Sequence, residues 1–141
     1  MAKWLFKADP EIYGFQHLEK EKQTVWDGVS NNLALKHLRS CKKGDEVLIY
    51  HTGTEKTIVG LAEVVKDPYP DPKRKDEKLI VVEIKAVKRL QNPVTLAEIK
   101  SRKEFADFLL VRMSRLSVMP VSDAHWSALL SGGRASVPAR R

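Results

Sequence analysis

The chain has a single cysteine, so no disulfide can form within it and a zinc knuckle would lack thiolates. Cys41 falls on the apolar side of an expected helix, which reads as a buried thiol in a reducing compartment. Nor is there an apolar run of membrane-spanning length. The N-terminal Met1-Ala2-Lys3-Trp4-Leu5-Phe6-Lys7 meets a lysine after only three apolar residues, too few for a signal peptide, so the expected setting is cytoplasmic. A P-loop, a G-x-G-x-x-G turn and a G-x-S-x-G elbow are all missing, which removes the usual support for ATP, nicotinamide and esterase chemistry. His17, His37, His51 and His125 show no paired metal-ligand spacing. No cofactor and no metal are therefore expected, and no internal repeat is visible.

Acidic residues are also in short supply. With 25 lysines and arginines against 18 acids, the net charge is +7 and the pI about 9.6, which favours an anionic partner such as nucleic acid or a membrane surface. Part of that excess is peripheral, since Arg134, Arg140 and Arg141 lie in a stretch without an acid or a hydrophobic period. Residues 132–141 are expected to be a disordered basic tail behind one domain spanning 1–131.

Within that domain, alternation predicts strands at Trp4 to Ala8, Glu46 to His51, Thr57 to Lys66 and Lys78 to Leu90, with a closing strand at Arg115 to Val118. Asp9-Pro10 stops the first strand, and Tyr13 to Lys22 reads as a weak helix or turn. Helices are expected from Leu33 to Cys41 behind the caps Asn31 and Asn32, from Thr95 in a capping-box spacing, and after Ser122. Asp67 to Lys75, rich in proline and charge, reads as an exposed loop. Strands interleaved with short helices, with small residues Gly60 and Ala62 inside a strand, suit an α+β curved sheet or small barrel.

Val25-Trp26-Asp27-Gly28-Val29-Ser30-Asn31-Asn32 joins a large aromatic, a glycine and a helix start in eight residues. Such a segment can edge a pocket, with Gly28 permitting close approach and the helix N-terminus presenting free N–H groups. It can equally be a core tryptophan followed by an ordinary turn. Tyr50-His51-Thr52, at a strand end, offers an aromatic face, a switchable imidazole and a hydroxyl, but alternation aims Tyr50 and His51 to opposite sides unless the strand ends or bulges there. Lys7 with Asp9 and Glu11 is either a charge pair beside the first strand or a solvated surface cluster. Lys73-Arg74-Lys75 would hold phosphate without reading sequence.

These pieces have an order. Trp4-Leu5-Phe6-Lys7 with Pro10 and Tyr13, Trp26-Asp27-Gly28-Val29 with Asn31 and Ala34, Lys43-Gly44-Asp45, Tyr50-His51-Thr52, Val59-Gly60 with Ala62, Tyr69-Pro70-Asp71, Pro93-Val94-Thr95-Leu96 with Ile99-Lys100, and Arg115-Leu116-Ser117-Val118 with Pro120 make the chain resemble an EVE domain of the PUA-like superfamily from about residue 3 to 130. The resemblance implies a PUA-like curved β-barrel of five to six strands flanked by short helices. Its pocket would be related to that of YTH domains, which accept a modified RNA base, whereas EVE domains are taken as readers of modified bases in DNA, cytosines especially. Carried over position by position, that pocket draws on Lys7, Trp26, Asn31, Tyr50, His51, Thr52, Arg115 and Ser117, with Gly28 and Ser30 at its edge. Two positions depart from the family pattern: Ser30 stands where arginine is common, and Ala8-Asp9-Pro10 where Ser-Glu-Pro is common.

The expected function is a non-enzymatic binding module. A base within a duplex must be flipped out to be read, so Trp26 and Tyr50 would stack, Asn31, Thr52 and Ser117 would meet its edge, and Lys7, Arg115 and the basic loop would hold phosphates. The alternative is a small hydrolase of modified nucleosides, as in ASCH-type PUA-like relatives, with Lys7, Thr52 and Asp9 as its working groups, although the motif of that group is absent.

Overall fold

The computed structural model describes residues 2–74 and 76–135, with side chains through residue 130. In chain order the elements are β1 (Lys3–Ala8), α1 (Pro10–Tyr13), α2 (Phe15–Glu21), β2 (Gln23–Trp26), α3 (Asn32–Ser40), β3 (Glu46–His51), β4 (Thr57–Pro70), β5 (Ile80–Thr95), α4 (Leu96–Ser101), α5 (Leu109–Arg112), β6 (Val118–Pro120) and α6 (Asp123–Ala135), with a 3-10 turn at Lys103–Phe105. The strands form one mixed sheet in the order β2-β5-β4-β3-β1-β6, in which β1 and β3 run parallel and the other pairs antiparallel. This is the expected α+β class with six strands.

The ladder stays open, with β2 and β6 as its edges, so the sheet curls without closing into the expected barrel. The curl is strong. Trp26 at the end of β2 packs its ring 5.7 Å from that of Phe6 on β1, although three strands separate β2 from β1 in the sheet. Bulges supply the bend: the β4–β5 register shifts at Ile58/Gly60, Leu61/Ala62, Val64/Lys66 and Lys66/Tyr69. Gly60 has a further duty, because a Cβ there would fall on the Phe15 ring, so its bare backbone is what lets α2 seat against β4.

Several boundaries differ from the sequence reading. β4 continues through Pro68-Tyr69-Pro70, which was expected as loop; the register shift between Lys66 and Tyr69 absorbs the missing N–H of Pro68, Pro70 is the last residue of the strand, and Tyr69 Oη donates to Glu83 at 2.7 Å. β5 likewise runs on to Thr95 across an irregular stretch. β2 was not foreseen, being four residues with no apolar alternation. The closing strand is Val118–Pro120, so Arg115 and Ser117 lie on the turn before it. The helix caps agree: Asn31 Oδ1 accepts from Ala34 N–H, Thr95 Oγ1 from Glu98 N–H and Ser122 Oγ from His125 N–H. Ala34, Leu35, Leu38 and Cys41 are buried as the helical period requires, and burial pushes the Cys41 thiol pKa up. α6 continues to Ala135, past the expected start of the tail at 132, and residues 136–141 lie outside the described residues.

Candidate nucleic-acid interface

The parallel register sets Lys7 of β1 beside Tyr50 of β3, and the ammonium lies 5.9 Å from the centre of the Tyr50 ring. Its Nζ donates to the Ser114 carbonyl at 2.6 Å, and the Lys7 backbone N–H donates to the Ser117 carbonyl at 2.9 Å. Four expected residues therefore meet here: Lys7, Tyr50 and Ser117, with Arg115 on the same turn. Desolvation lowers the Lys7 pKa and raises that of Tyr50. Arg115 is exposed, and its guanidinium has no hydrogen-bond or ion-pair partner among the described residues. Thr52 closes the end of the strand pair, its N–H and Oγ1 both donating to the Ala8 carbonyl at 2.9 and 3.3 Å.

His51 does not join this group. It is 3% exposed, its Nε2 accepts from the Phe15 N–H at 2.9 Å, and its Nδ1 lies 2.8 Å from Glu55 Oε1. Accepting at Nε2 leaves the proton on Nδ1, which donates to the carboxylate, so one nitrogen pins the start of α2 to the end of β3 and the other holds the turn before β4. Both nitrogens of this expected base contact therefore already hold partners within the chain.

Trp26 is also placed apart from Lys7. Adjacent strand residues face opposite sides, so Phe6 and Lys7 diverge, and Trp26 packs on the Phe6 side. Its ring is 8% exposed, with the edge of Tyr13 6.2 Å away on a second flank. The structure therefore puts Trp26 and Tyr50, expected to line one pocket, on two sides of the β1–β3 pair.

Beyond Trp26 the chain surfaces. Gly28 has φ of 79° and open space where a Cβ would stand, so the glycine is required by its backbone conformation and not by a close neighbour. Ser30 and Asn31 are exposed at the start of α3. Arg74 reaches this segment, with Nη2 3.5 Å from the Val29 carbonyl while Nε donates to Asp71 Oδ2 at 2.8 Å. Asp71 is buried and also accepts from the Lys73 N–H at 2.9 Å; that hydrogen bond and the neighbouring guanidinium hold its carboxyl below the usual carboxylate range. Arg74 is thus a clamp between two loops and not a free phosphate hook. Lys73 remains exposed, and Lys75 lies outside the described residues. The Asp71-to-Lys73 spacing is that of an Asx turn, a signal from which the clamp was readable.

A cleft of about 440 Å³ lies elsewhere, between the end of α2, β2 and β5, where Lys22, Lys85 and Lys88 are among its lining residues. It has no aromatic face on which a base could stack. Among the described residues no cluster of His, Cys, Asp or Glu is placed to hold a metal ion, and no helix is long and apolar enough to cross a membrane.

Residues 2–132 match the family model of the EVE domain. The chain belongs to that family. Human thymocyte nuclear protein 1 is 30% identical, the match covering 91% of this chain and 72% of that protein. Its structure in complex with 5-methylcytosine containing DNA superposes with a TM-score of 0.87 at 27% identity, covering 94% of this EVE domain chain and 98% of that one. A Rhodopseudomonas palustris protein solved by NMR gives a TM-score of 0.90 at 35% identity, covering 100% and 99%. An ASCH structure from Zymomonas mobilis, 12% identical with a TM-score of 0.60 over 92% and 94%, shares the fold alone. Two features of this EVE domain escaped the sequence reading: the Ser114 carbonyl that fixes Lys7, and the clamp of Asp71 and Arg74.

Proposed function

We propose that the chain is a non-enzymatic reader of a modified cytosine in DNA. The observation that carries the reading is the match in fold, over nearly the whole length, to a structure holding 5-methylcytosine containing DNA. The local chemistry supports it: a half-buried lysine over a tyrosine ring, an unpaired arginine two residues from the Ser117 carbonyl, and a surfaced helix start at Gly28 to Asn31. Lys7, Arg115 and Lys73 supply charge for phosphates, Tyr50 the aromatic face, and Ser30, Asn31, Thr52 and Ser117 polar groups for edges. Tyr50 is covered in the free protein, so its ring has to be uncovered as the base enters. The same proposal sets the protein in the cytoplasm, where a lone thiol stays reduced.

The test is a titration of fluorescent duplexes identical except for one cytosine, carried plain, 5-methylated or 5-hydroxymethylated, at two salt concentrations. Preferential binding of one modified duplex that persists at the higher salt is expected. Equal affinity for all three would leave only charge-driven association and sink the reading.

A further inference from the structure

A reader that extracts a base from a duplex leaves a gap in the stack, and proteins commonly stabilise such a gap with an apolar side chain inserted between base steps. Among the described residues five large apolar side chains are exposed. Val25 and Val87, 43% and 48% exposed, lie on strands and Leu130, 39% exposed, on a helix, none of them with arginines on both sides. Ile12, 78% exposed, is beside Glu11 and close to Asp9, whose charges repel phosphate. Met113, 40% exposed, stands in the turn between α5 and β6 with Arg112 and Arg115 on either side. Both arginines are exposed, and neither side chain has a hydrogen-bond or ion-pair partner among the described residues.

That turn is also firmly built. The Met113 N–H donates to the Leu109 carbonyl at 2.7 Å, the Leu116 N–H donates to the Met113 carbonyl at 3.0 Å, and Leu110 and Leu116 are buried beneath it. Ser114, next to Met113, accepts from Lys7 Nζ, so the turn is tied to the lysine that lies over Tyr50. On the reading of the chain as a modified-base reader, we infer that this turn enters the duplex: Met113 fills the space vacated by the flipped base, while Arg112 and Arg115 grip the phosphates flanking it. A flexible unbranched thioether suits an opening whose shape varies with the neighbouring bases.

The experiment compares the full chain with Met113→Ala, Met113→Leu, Arg112→Gln and Arg115→Gln on a duplex carrying one 5-methylcytosine and on the same modified strand alone, with 2-aminopurine next to the modified base reporting unstacking. A single strand has no stacked gap to fill. Met113→Ala should weaken duplex binding by about tenfold, leave single-strand binding within about twofold and lower the 2-aminopurine signal, since unstacking one step costs a few kcal/mol. Met113→Leu should restore most of the duplex affinity. Each arginine variant should flatten the slope of log affinity against log salt on the duplex by about 0.9. Met113→Ala losing affinity equally on both forms, or on neither, overturns the wedge. If the unaltered chain fails to prefer the modified duplex, the reader itself falls and the wedge with it; a preserved preference with an unchanged Met113→Ala ratio rejects the wedge alone.

Discussion

One side of the β1–β3 pair is closed by hydrogen bonds, with His51 held between Phe15 and Glu55 and Trp26 packed on Phe6, whereas the other ends in the Arg112–Arg115 turn with its guanidiniums unpaired. The same pair of strands supplies both sides, because alternation sends Phe6 and His51 one way and Lys7 and Tyr50 the other. Burying a polar ring with both nitrogens satisfied makes it part of the fold; leaving a cation exposed keeps it available to an anionic partner. Substitutions on the first side should therefore be read as loss of stability, and on the second as loss of affinity.

The largest effect should come from Trp26→Ala. Emptying a site this buried costs about 3 to 5 kcal/mol, so urea unfolding should show a much lower midpoint. A stable Trp26→Ala protein that had lost only its base preference would break the comparison and return Trp26 to the pocket. Next is His51→Leu, which strands the buried Phe15 N–H; an unsatisfied donor of this kind costs about 1 to 3 kcal/mol. Stability by urea titration should fall while the salt slope of DNA binding stays put, and a changed slope with unchanged stability would reverse the assignment of His51.

Smaller effects belong to the exposed residues. Ser30→Arg should leave the melting temperature almost unmoved, since residue 30 is exposed, yet steepen the salt slope of DNA binding by about 0.7 to 0.9 through one added phosphate contact. No change of slope would show that the start of α3 faces away from the DNA. The finest test is pH. Burial lowers the Lys7 pKa below the ordinary 10.5, so Lys7 loses its proton, and with it its attraction for phosphate, earlier on the alkaline side than a solvated lysine would. Affinity measured between neutral pH and about 10 should fall in the parent chain and hold better in Lys7→Arg; parallel profiles would exclude Lys7 from the contact.

The sequence makes the local features legible and leaves the distant ones hidden. Alternation sets β3 at its observed bounds, and capping chemistry finds Asn31, Thr95 and Ser122, because each depends on neighbours within a few residues. Phe15, whose N–H donates to His51, is 36 positions away from it, and Ser114 is 107 from Lys7, so neither pairing leaves a local trace. Trp26 followed by Gly28 is ambiguous for another reason: the glycine is required by φ of 79° whether the tryptophan faces a ligand or the core. Proline misled at Pro68, where a bulge removes the need for the N–H that proline lacks, and at Pro70, the last residue of β4. The family resemblance supplied the list of site residues, but strand alternation decided which of them share a side.

Cys41, at the end of α3, gives this protein a clock of its own. Its thiol is buried and its pKa raised, so in the folded state it offers alkylating reagents and peroxide almost no thiolate. Labelling must wait for the helix to detach. Because the chain has no second cysteine, mass spectrometry of a timed iodoacetamide pulse counts only molecules whose α3 has opened, without a tag or an engineered probe. Whether DNA slows that labelling reports directly on how far the bound partner restrains the helix behind Asn31.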